Sequence, residues 1–118
     1  MPTEEEILKE WVELEAMQDL LQDAESKFYS IRSRFWHKIA KLKQLSPNAQ
    51  TYKQFEGKVR RGIKKLKLGK RPRGMQLDHK TPVLLAFILG WTVEQTNDPS
   101  NLQMIKTKAN RKKGLKRE

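Results

Sequence analysis

An adjacent aspartate and histidine, Asp78-His79, stand in the C-terminal half of this 118-residue chain, followed by two asparagines, Asn101 and Asn110. His79 is the only histidine in that half, and a neutral imidazole can take a proton from water near pH 7. Asp78 and Asn110 bring hard oxygen donors, which suit a divalent ion that keeps several waters and accepts a phosphate oxygen. That describes magnesium or manganese rather than structural zinc. A base for water and positive charge at a non-bridging oxygen are what phosphodiester hydrolysis demands. Taken singly, each residue has a plainer reading. Asp78 suits a turn or cap, His79 a half-buried strand, Asn101 a turn after Pro99-Ser100, and Asn110 an exposed helix.

The elements that must hold these groups are short. Met75 to His79 reads as a strand, and Leu102 to Ile105 as a second one with Leu102 and Met104 on one face. Between them, Thr81-Pro82 opens an apolar helix running to Trp91, with Thr81 as cap and Gly90 near the end. Asn97-Asp98-Pro99-Ser100 is a turn. Thr107 caps a last, basic helix through Lys113, closed by Gly114.

With that order in view, Leu77-Asp78-His79-Lys80-Thr81-Pro82, Asn101-Leu102-Gln103-Met104-Ile105 and Ala109-Asn110-Arg111-Lys112-Lys113-Gly114 resemble the HNH nuclease family, the nucleases of the ββα-metal fold. The resemblance covers Met75 to Gly114 and implies a metal-dependent DNA endonuclease. It implies that Asp78 and Asn110 hold Mg2+ or Mn2+, that His79 activates water, and that Asn101 braces the loop aiming the histidine. Lys108, Arg111, Lys112 and Lys113 would face the DNA backbone. The sequence departs from the family in two ways. Twenty-one residues separate His79 from Asn101, and the cysteines with which many members brace the motif are missing. The apolar insertion and the preceding helices are expected to supply the core instead, with Leu84, Phe87 and Trp91 buried.

Those preceding helices follow from spacing. Thr3 and Glu6 have capping-box spacing. Ile7, Leu14, Leu21, Phe28, Phe35 and Leu42 then recur every seventh residue without proline or glycine up to Leu45. A helix of up to about 63 Å is expected, paired in a hairpin or a coiled coil. Gln18, Glu25 and Arg32 spoil the second seam position, which favours packing on the same chain. A homodimer through this helix and a break near Ser26 to Ser30 remain open. Trp11, Phe28, Phe35 and Trp36 read as plain packing, and His37 as an interfacial residue or phosphate contact. Ser46-Pro47-Asn48 stops and restarts the helix, with Ser46 as cap. Tyr52, Phe55, Val59, Ile63 and Leu66 give a second stripe. The glycines and proline between Lys67 and Gly74 mark a boundary. The expected organisation is mainly α with a small α+β module: a helical hairpin or coiled coil over 1–70 and an HNH ββα-metal module over 71–118.

Charge is unevenly spread. Net charge is +11, yet residues 1–25 carry −8 and the remainder +19. Such a surface concentrates polyanions, nucleic acids above all. Lys58, Arg60, Arg61, Lys64, Lys65, Lys67, Lys70, Arg71 and Arg73 form the candidate DNA-binding surface with the last helix. The acidic start suits a protein partner or a shield for the basic surface. Without cysteine, disulfides and thiolate zinc sites are excluded. The apolar run from Pro82 to Trp91 is too short for a bilayer span, and the acidic first residues are no signal peptide. The expectation is a cytoplasmic protein of a bacterial host or phage-infected cell, by analogy with phage or mobile-element nucleases. The rival readings are a non-enzymatic nucleic-acid-binding or architectural protein and a coiled-coil adaptor.

Overall fold

The computed structural model describes residues 2–24, 29–66, 68–69 and 71–117. Its elements are α1 (Glu4–Ala24), α2 (Tyr29–Gln44), α3 (Tyr52–Lys65), β1 (Met75–His79), α4 (Val83–Leu89), α5 (Val93–Thr96), β2 (Leu102–Lys106) and α6 (Thr107–Lys113). The protein is thus mostly helical with one small antiparallel sheet among the described residues. No helix among those residues is long and apolar enough to cross a membrane.

The expected 63 Å helix does not form, for the largest dimension of the molecule is 42 Å. Its seven-residue stripe folds on itself instead. Ile7, Trp11 and Leu14 of α1 share a core with Phe35, Ile39 and Leu42 of α2. Charge selects this pairing: Lys38 of α2 bonds both Glu10 and Glu13 of α1, the latter at 2.9 Å. The hydrogen bond from Lys38 and its charge hold the Glu10 carboxyl below the ordinary carboxylate range. For Lys38, burial would lower the ammonium, but the bonds to Glu10 and Glu13 outweigh it and raise it. Phe28, Glu25 and the break left open near Ser26 to Ser30 fall wholly or partly on residues outside the described ones. Trp36, expected to pack, is 61% exposed. His37 is also exposed, in a groove with Arg34 and Lys41.

The second helix starts later than expected. Thr51, not Ser46, caps α3 through a box with Gln54. Ser46 and Asn48 are drawn off to α4, where both donate to the Phe87 carbonyl, a helix-end acceptor that also takes the Gly90 amide at 3.1 Å. Of the α3 stripe, Phe55 and Val59 are buried while Leu66 is 40% exposed.

Helix α4 is apolar all round and packs against α1, α2 and α3. Leu84, Leu85, Phe87 and Ile88 join the same core as Trp11 and Phe55, so one cluster spans both sides of the boundary expected near residue 70. Phe87 meets Tyr52 edge-on and Phe55 at a tilt, each with ring centroids 5.5 Å apart. Each such side chain contributes about 1.5–3 kcal/mol on burial. Trp91 is only half-buried. Pro82 rather than Thr81 takes the cap position of α4. Gly90 ends the helix with φ +83°, and a Cβ there would lie 2.5 Å from Pro47.

The strands pair antiparallel, with Leu77 opposite Met104, Asp78 opposite Gln103 and His79 opposite Leu102. Lys106 rather than Thr107 is the cap residue of α6. The far end of α6 is clasped by α1. Gln18 donates to the Lys113 carbonyl at 2.9 Å and accepts from the Leu115 amide at 2.8 Å. Gln22 bonds the Lys112 carbonyl, Glu15 accepts from the Arg117 amide, and Asp19 pairs with Lys116. Much of the acidic helix is therefore engaged by its own chain.

Candidate active site

Alternation along β1 sends Asp78 and His79 to opposite faces of the sheet, and each face has its own neighbours. Gln76 and Asp78 face α6, where Asn110 Nδ2 donates to Gln76 Oε1 at 2.8 Å. The Asn110 Oδ1 has no protein partner among the described residues. Gln103 Nε2 donates to Asp78 Oδ2 at 2.8 Å. The Lys113 ammonium lies 3.3 Å from that same oxygen and donates to the His79 carbonyl at 3.2 Å. The Asp78 and Lys113 side chains are 11% and 6% exposed.

Lys113 therefore departs from expectation. The resemblance groups it with the cations facing a DNA backbone, but it lies inside, three residues along the helix from Asn110 and so on the same face. Lys108, Arg111 and Lys112 stay exposed.

His79 lies on the other face. Its ring lines a cleft of about 560 Å³ between α3 and the sheet, walled by Ile63, Leu77, Val83 and Met104. Arg60, Lys64 and Arg71 line the same cleft, against the single carboxylate of Glu56 among its lining residues. Three further α3 cations, Lys58, Arg61 and Lys65, line a separate groove with Val93, Glu94 and Asp98. Arg73 is exposed. Lys67 and Lys70 lie outside the described residues.

The chain beyond His79 is tied down by Asn101, which is buried. Its Oδ1 accepts from the Thr81 amide at 2.8 Å, its Nδ2 donates to the Thr96 carbonyl at 2.9 Å, and its own carbonyl takes the Lys80 amide at 2.7 Å. This amide stitches the segment after β1 to the one before β2. Just upstream, Asp98 accepts from the Ser100 hydroxyl and amide, which hold its carboxyl below the ordinary range.

One residue of this site carries no more than a turn-forming signal in the sequence. Asn97, 7% exposed, presents Oδ1 to His79 Nε2 at 2.9 Å and donates from Nδ2 to the Val59 carbonyl at 2.9 Å. Gln76 and Gln103, the partners of Asn110 and Asp78, are likewise given no role by the resemblance. Their signal lies in the strand alternation, which puts both on the Asp78 face.

Chemically, the arrangement offers an imidazole in a cationic cleft on one side of a strand. On the other side it offers a carboxylate with a resident ammonium beside an amide oxygen. Among the described residues, no group of three or more His, Cys, Asp or Glu side chains could hold a metal. Comparison with protein-family models, curated proteins and solved structures found no match for this chain.

Proposed function

We propose that the chain is a metal-dependent endonuclease of HNH type, with β1, β2 and α6 as a ββα-metal module and residues 1–70 helping to grip DNA. The observation that carries this reading is that β1 bears both chemical groups, one on each face. His79 ends the strand in a cleft that also holds Arg60, Lys64 and Arg71, and Asp78 and Asn110 share the layer between β1 and α6.

The donor set fits a divalent ion in kind. Asp78 already holds a cation, the Lys113 ammonium at 3.3 Å, and Asn110 has an oxygen to spare. Asp78 and Asn110 would hold Mg2+ or Mn2+, which when bound supplies positive charge to a phosphate oxygen and to the leaving group. The protein's own groups do the rest. His79 takes the proton of the attacking water. Arg60, Lys64 and Arg71 draw the backbone into the cleft, and the exposed Lys108, Arg111 and Lys112 neutralise neighbouring phosphates. Asn101 keeps the segment after His79 from shifting.

Incubating purified protein with supercoiled plasmid in magnesium, manganese or chelator tests the proposal. Nicked or linear product in metal alone is expected, with a loss of about 10² to 10⁴ in rate for His79→Ala. Cleavage by His79→Ala at the wild-type rate would rule the mechanism out. The Lys113 ion pair favours a second reading, a basic nucleic-acid-binding protein without catalysis, because it neutralises Asp78 from within. Tight plasmid binding with no cleavage in any metal would decide for that reading.

A further inference from the structure

We infer that Asn97 is a positioning residue for His79: it fixes the imidazole with the proton on Nε2 and leaves Nδ1 as the basic atom. The inference rests on the nuclease reading for its catalytic consequence, but not for the geometry.

The orientation of Asn97 follows from its partners. The Val59 carbonyl can only accept, so the group 2.9 Å from it must be the Asn97 NH2. The Oδ1 atom is then the one turned to His79, and an amide oxygen can only accept. The ring atom at 2.9 Å, Nε2, must therefore donate. In a neutral imidazole this leaves the lone pair on Nδ1, which has no protein partner among the described residues. The ring lines the cationic cleft, so the free lone pair belongs to a side chain that shares a surface with Arg60 and Lys64.

Asn97 is itself held. Its backbone amide bonds the Val93 carbonyl at 3.0 Å at the end of α5, and α5 is fixed by the Thr92 and Gln95 capping box. The approach to α3 needs a glycine: a Cβ on Gly62 would stand 2.7 Å from Asn97 Nδ2. Buried at 7% exposure, the side-chain amide has nowhere to turn without stranding a polar group. Two asparagines thus divide the task, with Asn101 holding the backbone after His79 and Asn97 holding its ring.

The test uses the full chain labelled with 15N. In the wild type, His79 should show a slowly exchanging Nε2–H and an unprotonated Nδ1. Asn97→Ala should lose that protected proton and lower kcat on duplex DNA about ten- to hundredfold, the usual worth of an orienting partner, with KM within about twofold. In a His79→Ala background the same substitution should cost no further rate. Gly62→Ala, which displaces Asn97 without removing either hydrogen-bonding group, serves as a second variant and should reproduce the loss. A proton on Nδ1 in the wild type, or a protected Nε2–H that survives both substitutions, would overturn the inference. Expected spectra together with uncut plasmid would instead sink the nuclease reading and leave the positioning of the ring standing.

Discussion

Lys113→Met would leave the Asp78 carboxylate with Gln103 as its one side-chain partner among the described residues, and Asp78→Asn would leave the Lys113 ammonium with the His79 carbonyl but no counter-charge in that pair. At 3.3 Å and an effective dielectric constant of about 20, the attraction between the two charges is about 5 kcal/mol. Their desolvation offsets part of it, and breaking such a buried pair costs about 3–5 kcal/mol. Because Asp78 keeps 11% exposure, the lower end, about 3 kcal/mol, is the expected loss for either single substitution. For 118 residues the unfolding entropy near 60 °C is about 250 cal/mol/K, so each variant should melt about 12 °C lower. The double variant should lose less than the two singles together, by at least about 1 kcal/mol. Thermal unfolding followed by circular dichroism reads all four proteins. Magnesium adds a second arm. Removing the ammonium frees Asp78, so the ion should raise the melting temperature of Lys113→Met more than that of the wild type. At a hundredfold excess over Kd the gain is about 2.7 kcal/mol, and Asp78→Asn should abolish it. Singles within about 0.5 kcal/mol of wild type and strictly additive would refute the ion pair. A Lys113→Met protein indifferent to magnesium would refute Asp78 as a metal ligand.

Gln18→Met should strip the Lys113 carbonyl and the Leu115 amide of their partner, costing about 1–3 kcal/mol in denaturant unfolding and speeding hydrogen exchange at Leu115. Glu10→Gln should lower the melting temperature modestly at neutral pH. Because the Glu10 carboxyl is depressed in the folded protein, its contribution is present above the unfolded carboxylate range and fades as pH falls through the lower folded value. Wild type and variant should therefore converge in acid, and a difference that grows there would exclude the Lys38 bond as its source. Replacing Arg60, Arg61, Lys64 and Lys65 with glutamine should flatten the salt dependence of DNA affinity by about 0.9 for each phosphate that is no longer neutralised. If the His79 cleft receives the scissile phosphate, Arg60 and Lys64 should matter more to cleavage than Arg61 and Lys65, which line the other groove.

The two strands and the last helix are legible in the sequence because local chemistry specifies them: alternation, a turn of Asn, Asp, Pro and Ser, and a closing glycine. The reversal between α1 and α2 is not, since no proline or glycine interrupts Thr3 to Leu45. Its signal lies in charge. An acidic first helix and a basic second one cannot run on as a single rod without leaving Glu10 and Glu13 apart from Lys38, whereas folding back pairs them. Gln18 reads as a flaw in the heptad when the seam is judged by apolar packing alone. The structure gives that position a polar task, holding the end of α6, so a polar seam residue helps to fasten α1 to the last helix. Lys113 is hidden among neighbouring cations, although its three-residue spacing from Asn110 already separates it from Arg111 and Lys112. Asn97 cannot be found in this way. Its partners are 18 and 38 residues distant, and only the packing of α5 on α3 at Gly62 brings them within reach of one amide. A side chain's chemistry is readable where its partners lie within a turn or a strand pair, and it becomes unreadable once three separate elements must meet to make it.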